Sequence, residues 1–174
     1  MVHLEKIVQY NVQSSEKEKF DGVMLDIEPY ISDSWKENPE EYMDRYISCM
    51  KKGYKFAQKN HLRTAICIPR HYDNQGLTSG LEELIKETCD EVAVMNYSCG
   101  NEIEAIRTEA ALSEKYGTEL HCRLEFQEVG KHGLTENKTY RNKGIDNAKE
   151  TWEKLQKEYK NINVTRDYPV SYTH

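Results

Sequence analysis

The hydrophobic and polar positions of the chain follow two periods in alternation. Apolar residues recur every three to four positions in some segments, which is typical of helices, and form short continuous runs in others, which is typical of buried strands. The runs predict strands at about 20–27, 63–68, 91–97, 119–126 and 168–172. The helical segments lie at about 3–19, 39–59, 79–88, 101–116 and 143–159. Strands that alternate with helices favour right-handed βαβ units, so we expect an α/β fold with five parallel strands.

Local signals set the expected bounds of the helices. Asn38 before Pro39 is a typical helix start, because Asn caps free backbone amides and Pro fits the first helical turn. The segment 79–82, Ser-Gly-Leu-Glu, has the spacing of a capping box. Gly117 is expected to end the helix before the fourth strand, because glycine readily adopts the left-handed conformation common there.

Length and charge limit the architecture and the partners. With 174 residues the chain is one domain, but it is shorter than the roughly 250 residues of an ordinary (β/α)8 barrel. A net charge of −6 argues against a nucleic-acid partner. No apolar run approaches the ~20 residues of a membrane span, so we expect no membrane association. The first residues lack a secretory signal pattern, which leaves a cytoplasmic protein or a piece of a longer protein.

The sequence has no evident metal or cofactor motif. Its five cysteines are widely spaced, without a Cys-x-x-Cys pair, which predicts free thiols rather than a thiolate zinc site. No His-x-His or His-x-x-x-His pair and no glycine-rich phosphate loop is present. We therefore expect neither a catalytic metal nor a cofactor.

Polar and aromatic residues cluster where the predicted strands end. Catalytic and binding residues of parallel α/β folds lie at these carboxyl ends. The candidates for substrate contact are Tyr30, Trp35, Arg70, His71, Asn96, Glu125 and Tyr172. An ion pair with Asp26 or Glu28 is the alternative for Arg70. Packing over the rim of the sheet is the alternative for Trp35.

The first strand end carries the most specific pattern. Because side chains alternate along a strand, Met24, Asp26 and Glu28 share one face. Two close carboxyl groups do not both ionise easily, so one of them is expected to stay protonated near neutral pH and act as a general acid. The alternative is an acidic strand end that caps the following loop.

The same strand end resembles a known enzyme signature. The segment 21–28, Asp-Gly-Val-Met-Leu-Asp-Ile-Glu, resembles the fourth-strand pattern D-G-x-D-x-D-x-E of family 18 glycoside hydrolases, the chitinases and endo-β-N-acetylglucosaminidases. The segment 95–97, Met-Asn-Tyr, resembles the M-x-Y motif of that family's sixth strand, with one predicted strand between the two motifs. The resemblance implies that residues 1–174 form the C-terminal part of a (β/α)8 barrel, strands four to eight.

The resemblance also implies a reaction and three catalytic residues. Family 18 enzymes cleave N-acetylhexosamine glycans by a substrate-assisted, retaining route. Glu28 would protonate the glycosidic oxygen while the substrate's 2-acetamido oxygen attacks the anomeric carbon. Asp26 would orient the acetamido nitrogen, and Tyr97 would hydrogen-bond the acetamido carbonyl.

Three positions depart from the family pattern. Met24 stands where the family has its innermost Asp, and Ser98 stands where an acidic residue usually follows the Tyr. Tyr172 lies near the last predicted strand, where the family often has a Trp beneath the sugar. A non-catalytic glycan-binding protein and a fragment without activity of its own therefore remain alternatives.

A different enzyme interpretation uses two protein carboxylates. Glu125 ends the next-to-last predicted strand, where many retaining barrel glycosidases have their nucleophile, and Glu28 would be the acid. The two groups would have to lie about 5 Å apart. Such barrels usually have Asn before the acid, whereas this chain has Ile27, which argues against this version.

Five parallel strands also leave two sheet edges without a neighbour. Unpaired strand edges readily pair with another chain. We therefore expect a fragment, an opened barrel, or a half-barrel that associates with itself through these edges.

Overall fold

A computed structural model describes residues 2–167. Its sheet contains five strands: β1 Gly22–Leu25, β2 Arg63–Pro69, β3 Glu91–Met95, β4 Glu119–Arg123 and β5 Val164–Asp167. The strands lie side by side in sequence order, and each is parallel to the next. The predicted α/β fold with five parallel strands alternating with helices is thereby confirmed.

The fifth strand lies earlier in the chain than the sequence indicated. β5 pairs with β4 along its full length, and its only apolar residue, Val164, is buried. Asp167 at its end accepts a 2.8 Å hydrogen bond from Nε of Arg123. One apolar residue in four is too few for a strand to be predicted from the sequence. The pairing with β4 holds β5 in the sheet. The predicted strand at 168–172, with Tyr172, lies outside the described residues.

The helices alternate with the strands along the chain, as expected. They are α1 Val2–Gln13, α2 Asp33–Glu37, α3 Pro39–Lys59, α4 Thr78–Glu87, α5 Glu102–Ala105, α6 Arg107–Tyr116 and α7 Gly144–Glu158. Single turns of 3-10 helix occur at Pro29–Ile31, Asp73–Gln75 and Lys131–Gly133. The helix predicted at 101–116 is interrupted at Ile106, whose backbone is non-helical and whose side chain is fully buried. None of the helices within 2–167 is long and apolar enough to span a membrane.

The helix starts follow local chemistry in one case and burial in another. The Asn38 side chain accepts a hydrogen bond from the backbone amide of Glu41, so the predicted cap of α3 is present. The predicted capping box at 79–82 is not formed, because α4 already begins at Thr78. Leu77, the residue before Thr78, is buried in the core. This burial sets the start of the helix at Thr78, one residue before the predicted start at Ser79.

The apolar core lies on one face of the sheet. Every second strand residue faces this side and packs against α3, α4, α6 and α7. These residues include Ile66, Ile68, Val92, Val94 and Leu120, and Leu124, directly after β4, continues the pattern. The opposite face, which we call the open face because the core lies on the other side, carries Met24, Cys67, Ala93, His121, Arg123 and Asp167, of which Cys67, Ala93 and Arg123 are buried. The sheet therefore has a helix-covered face and an open face with charged groups.

The outer strands have a partner on one side within the described residues. β1 pairs only with β2, and β5 pairs only with β4. Exposed apolar side chains lie in and beside β1, among them Phe20, Met24 and Ile27. Self-association through these two edges stays a prediction.

Candidate functional site

A groove lies at the carboxyl ends of the strands, where the sequence predicts the functional residues. The loops that follow β1, β2, β3 and β4 contribute to it, and we call it the strand-end groove. The predicted site residues that line it are Glu28, Tyr30, Arg70, His71, Tyr97 and Glu125. Its remaining walls come from neighbouring loop residues, including Gln127, His132 and Lys138. The parallel sheet thus brings Glu28 and Glu125, which are 97 positions apart in the chain, into one groove.

Glu28 is fixed by an aromatic neighbour two residues along. The hydroxyl of Tyr30 donates a 2.6 Å hydrogen bond to Oε1 of Glu28. Pro29 begins the 3-10 turn Pro29–Ile31, which bends the chain so that this short-range bond can form. Burial, together with the Glu28 carboxylate, raises the pKa of Tyr30 far above its usual range. Tyr30 therefore stays a hydrogen-bond donor and leaves the second oxygen of Glu28 available to a ligand.

Asp26 lies next to a guanidinium group. Nη1 of Arg123 is 3.6 Å from Oδ2 of Asp26, and Nη2 of Arg123 is 2.9 Å from Sδ of Met24. The same Arg123 bonds Asp167 on β5, and its side chain is only 10% exposed. Asp26 thus pairs with Arg123 and not with Arg70, the partner that the sequence suggested. Arg123 therefore links the segment after β1 to β5 through opposite charges.

Tyr97 and Glu125 line the same groove as Glu28. Burial, followed by the negative charge of Glu125, raises the pKa of Tyr97 far above its usual range, so the phenol stays protonated. Glu125 is buried, and its Oε1 accepts hydrogen bonds from the backbone amides of Phe126 and Gln127 at 2.7 and 2.8 Å. These two amide donors fix the position of the Glu125 side chain.

His71 adds a neutral ring to the groove. Burial and the positive charge of Arg70 lower the pKa of His71 below its usual value. The ring lies edge-on to Tyr30, with 5.2 Å between the ring centroids. At neutral pH the imidazole is therefore uncharged, so it donates a hydrogen bond from one ring nitrogen and accepts one at the other.

Two predicted substrate contacts lie in the core instead. Trp35 is 3% exposed, because Ser32 caps α2 and turns the indole onto the ring of Tyr72. Asn96 is 1% exposed and donates to the carbonyl oxygen of Glu102. It continues the alternation of β3 toward the helix-covered face, as Val92 and Val94 do. Neither side chain lines the strand-end groove.

Arg123 is a buried charged residue close to the groove residues that the sequence pattern did not single out. It lies within the fourth apolar run, two positions before Glu125 and therefore on the same face of the strand. A charged residue inside a buried strand was the signal that could have identified it. Its ion-pair partners are Asp26, directly after β1, and Asp167 in β5, so their identity depends on the strand order.

Comparisons with known proteins identify no relative of this chain. No protein-family model matches the chain, and no curated protein or solved structure matches it significantly. Functional inference therefore rests on the side chains of the strand-end groove and on the quoted sequence motifs.

Proposed function

We propose that the chain is a sector of a (β/α)8 barrel, corresponding to strands four to eight. Two observations support this. The strands follow one another in sequence order, and the helices that form the core pack on one face of the sheet. Doubly wound α/β sheets have helices on both faces and reverse their strand order at the ligand site. A barrel has neither feature, and its active site lies at the carboxyl ends of the strands.

For the strand-end groove we propose glycoside hydrolysis of N-acetylhexosamine glycans with assistance from the substrate. The observation that carries the proposal is the position of Glu28 and Tyr97 in one groove, with Asp26 two residues before Glu28 in the chain. Glu28 transfers a proton to the glycosidic oxygen. The 2-acetamido carbonyl oxygen attacks the anomeric carbon, the bond to the leaving sugar breaks, and an oxazolinium ion forms. Water then opens this ion and returns a proton to Glu28.

Asp26 and Tyr97 have complementary roles in this proposal. Asp26, whose Oδ2 lies 3.6 Å from Nη1 of Arg123, accepts the acetamido N–H and stabilises the positive charge that develops on the acetamido group. The neutral Tyr97 phenol donates to the acetamido carbonyl oxygen and holds it toward the anomeric carbon. Met24 removes the family's inner carboxyl group, and Arg123 contacts both Met24 and Asp26 in its absence.

Glu125 supports a second candidate, a retaining glycosidase with a protein nucleophile. It lines the same groove as Glu28. However, its Oε1 is occupied by two backbone amides, which lowers its nucleophilicity. The substrate-assisted route is therefore the better supported of the two.

Azide rescue separates these candidates. The wild type is expected to release 4-methylumbelliferone from 4-methylumbelliferyl chitobioside and chitotrioside. The Glu125→Ala variant is expected to gain no activity when azide is added. Only a protein nucleophile leaves a cavity in which azide can attack the anomeric carbon. Because Glu125→Ala also removes a loop anchor, wild-type protein should in addition be treated with a 2-deoxy-2-fluoro glycoside and analysed by mass spectrometry.

The outcomes decide between three functions. Rescue by azide, or a covalent label on Glu125, would overturn the substrate-assisted route in favour of the protein nucleophile. Absence of turnover in the wild type, with intact binding of chito-oligosaccharides, would favour a glycan-binding protein. Absence of both turnover and binding would contradict the carbohydrate proposal as a whole.

A further inference from the structure

Three metal-ligating side chains meet at the amino ends of β3 and β4, at the far end of the sheet from the strand-end groove. Glu91 begins β3 and Glu119 begins β4, and the two residues are direct partners in the parallel register. His121 lies two residues after Glu119 and therefore on the same open face. The register of the sheet thus places two carboxylates and one imidazole side by side.

The geometry of these groups is that of a compact ligand set. One potential ligand atom from each of Glu91, Glu119 and His121 lies within 4.8 Å of the other two. Nε2 of His121 is 2.8 Å from Oε2 of Glu91, and the two side chains are only 15% and 19% exposed. The imidazole is therefore held in place with the nitrogen that would bind a metal directed at a carboxylate oxygen.

The pair of carboxylates requires a cation. Like charges directly opposite each other on neighbouring strands destabilise a sheet. In this structure Arg63 supplies the countercharge: its Nη2 is 2.7 Å from Oε1 of Glu91 and 3.2 Å from Oε1 of Glu119. Nε of Arg63 also donates a 2.8 Å hydrogen bond to Oε1 of Glu91, but the Arg63 side chain is 55% exposed, and exposed ion pairs contribute little to stability, so a competing cation can displace it.

We propose that Glu91, Glu119 and His121 bind a divalent transition-metal ion, with Zn²⁺ as the probe. Imidazole together with carboxylates suits Zn²⁺, whereas Mg²⁺ and Ca²⁺ prefer oxygen ligands. Three protein ligands leave a fourth tetrahedral position for water. Binding uses the lone pair on Nε2 of His121, so any proton on that nitrogen moves to Nδ1 or to solvent. The ion replaces Arg63 as the countercharge and links β3 to β4.

The sequence could not reveal this site by motif. Its ligands come from two strands, and no pair of histidines has a metal-binding spacing. Only the register that pairs Glu91 with Glu119 brings them together. The site is separate from the strand-end groove, so it does not depend on the proposed hydrolase function.

Calorimetric titration of the chelator-treated chain with Zn²⁺ tests the proposal. The background should be Cys49→Ser, because Cys49 is an exposed thiol. Loss of even an outer partner of a metal ligand costs about 10–100-fold in affinity. Accordingly, His121→Gln and Glu119→Gln are each expected to weaken Zn²⁺ binding at least tenfold, whereas Mg²⁺ should bind weakly to all variants. His3→Gln, which replaces an exposed histidine on α1, is the matched control and should leave the affinity unchanged.

Arg63→Ala supplies a test in the opposite direction. Because Arg63 competes for the carboxylates, its removal is expected to strengthen Zn²⁺ binding several-fold. Zn²⁺ should also raise the melting temperature of the background protein but not that of the His121→Gln variant, since ligands that bind the folded state stabilise it. Absence of Zn²⁺ binding, or an affinity unaffected by both His121→Gln and Glu119→Gln, would overturn the proposal. Glu119 is half-exposed, so its variant should stay folded even where His121→Gln does not.

Discussion

Glu28→Gln is expected to lower kcat for chito-oligosaccharide hydrolysis by about 10²–10⁴-fold, the range typical for loss of a general acid. The amide can keep the hydrogen bond from Tyr30 and hold the side chain in place, but it has no proton to transfer. Because Glu28 does not line the apolar core, the fold should persist. The variant therefore isolates proton transfer from positioning.

The choice of substrate makes this experiment more specific. An aryl leaving group such as 4-methylumbelliferone needs less protonation than a sugar hydroxyl. The loss of rate should therefore be larger for a chito-oligosaccharide than for its methylumbelliferyl conjugate. Glu128→Gln is the matched control, because Glu128 is a largely exposed carboxylate in the loop after β4. Equal activity of wild type and Glu28→Gln on both substrates would remove Glu28 from the mechanism.

The second large effect is expected for stability, at Glu109→Met on α6. Glu109 is completely buried, and neither of its carboxyl oxygens has a hydrogen-bond partner among the described residues. Burial, together with the negative charge of Asp73, raises the pKa of Glu109 from its ordinary 4.5 to about 8. The folded state therefore holds a proton that the unfolded state releases at neutral pH.

The sign of the pH dependence follows from this difference. Below pH 4.5 the carboxyl group is protonated in both states and does not affect the pH dependence. Between pH 4.5 and about 8 the folded state binds more protons, so the free energy of unfolding falls as the pH rises. Each unit of pKa displacement corresponds to about 1.4 kcal/mol, so the total is on the order of a few kcal/mol.

Urea denaturation at pH 5 and pH 9 measures this contribution. Glu109→Met removes the carboxyl group at similar volume, so it should stabilise the protein by a few kcal/mol more at pH 9 than at pH 5. Glu114→Gln, an exposed position on the same helix, is the control and should alter neither value appreciably. An equal effect of Glu109→Met at both pH values would contradict a neutral, buried Glu109.

Local signals predicted the fold where they coincided with burial. Asn38 caps α3 as expected, and the apolar runs of β2 to β4 are strands on which the core is built. The predictions differed from the structure where tertiary contacts dominate. β5 has one apolar residue and is held by its pairing with β4. Ile106 interrupts a helical pattern because its burial outweighs helix propensity.

The candidate site was predictable in part for a similar reason. Strand ends can be recognised in a sequence, and they predicted Glu28, Tyr97 and the other predicted residues that line the groove. Side-chain direction beyond a strand is harder to predict, and Asn96 and Trp35 consequently proved to be core residues. The Arg123 contacts involve β1, β4 and β5 at once, which no sequence spacing encodes.

The dependence of turnover on the 2-acetamido group tests the central claim most directly. Methylumbelliferyl chitobioside and methylumbelliferyl cellobioside differ in the substituent at carbon 2 of each sugar, which is acetamido in one and hydroxyl in the other. If the acetamido oxygen is the nucleophile, the chain should hydrolyse the chitobioside and show no turnover of the cellobioside. Comparable kcat/KM for the two substrates would contradict substrate assistance at the strand-end groove.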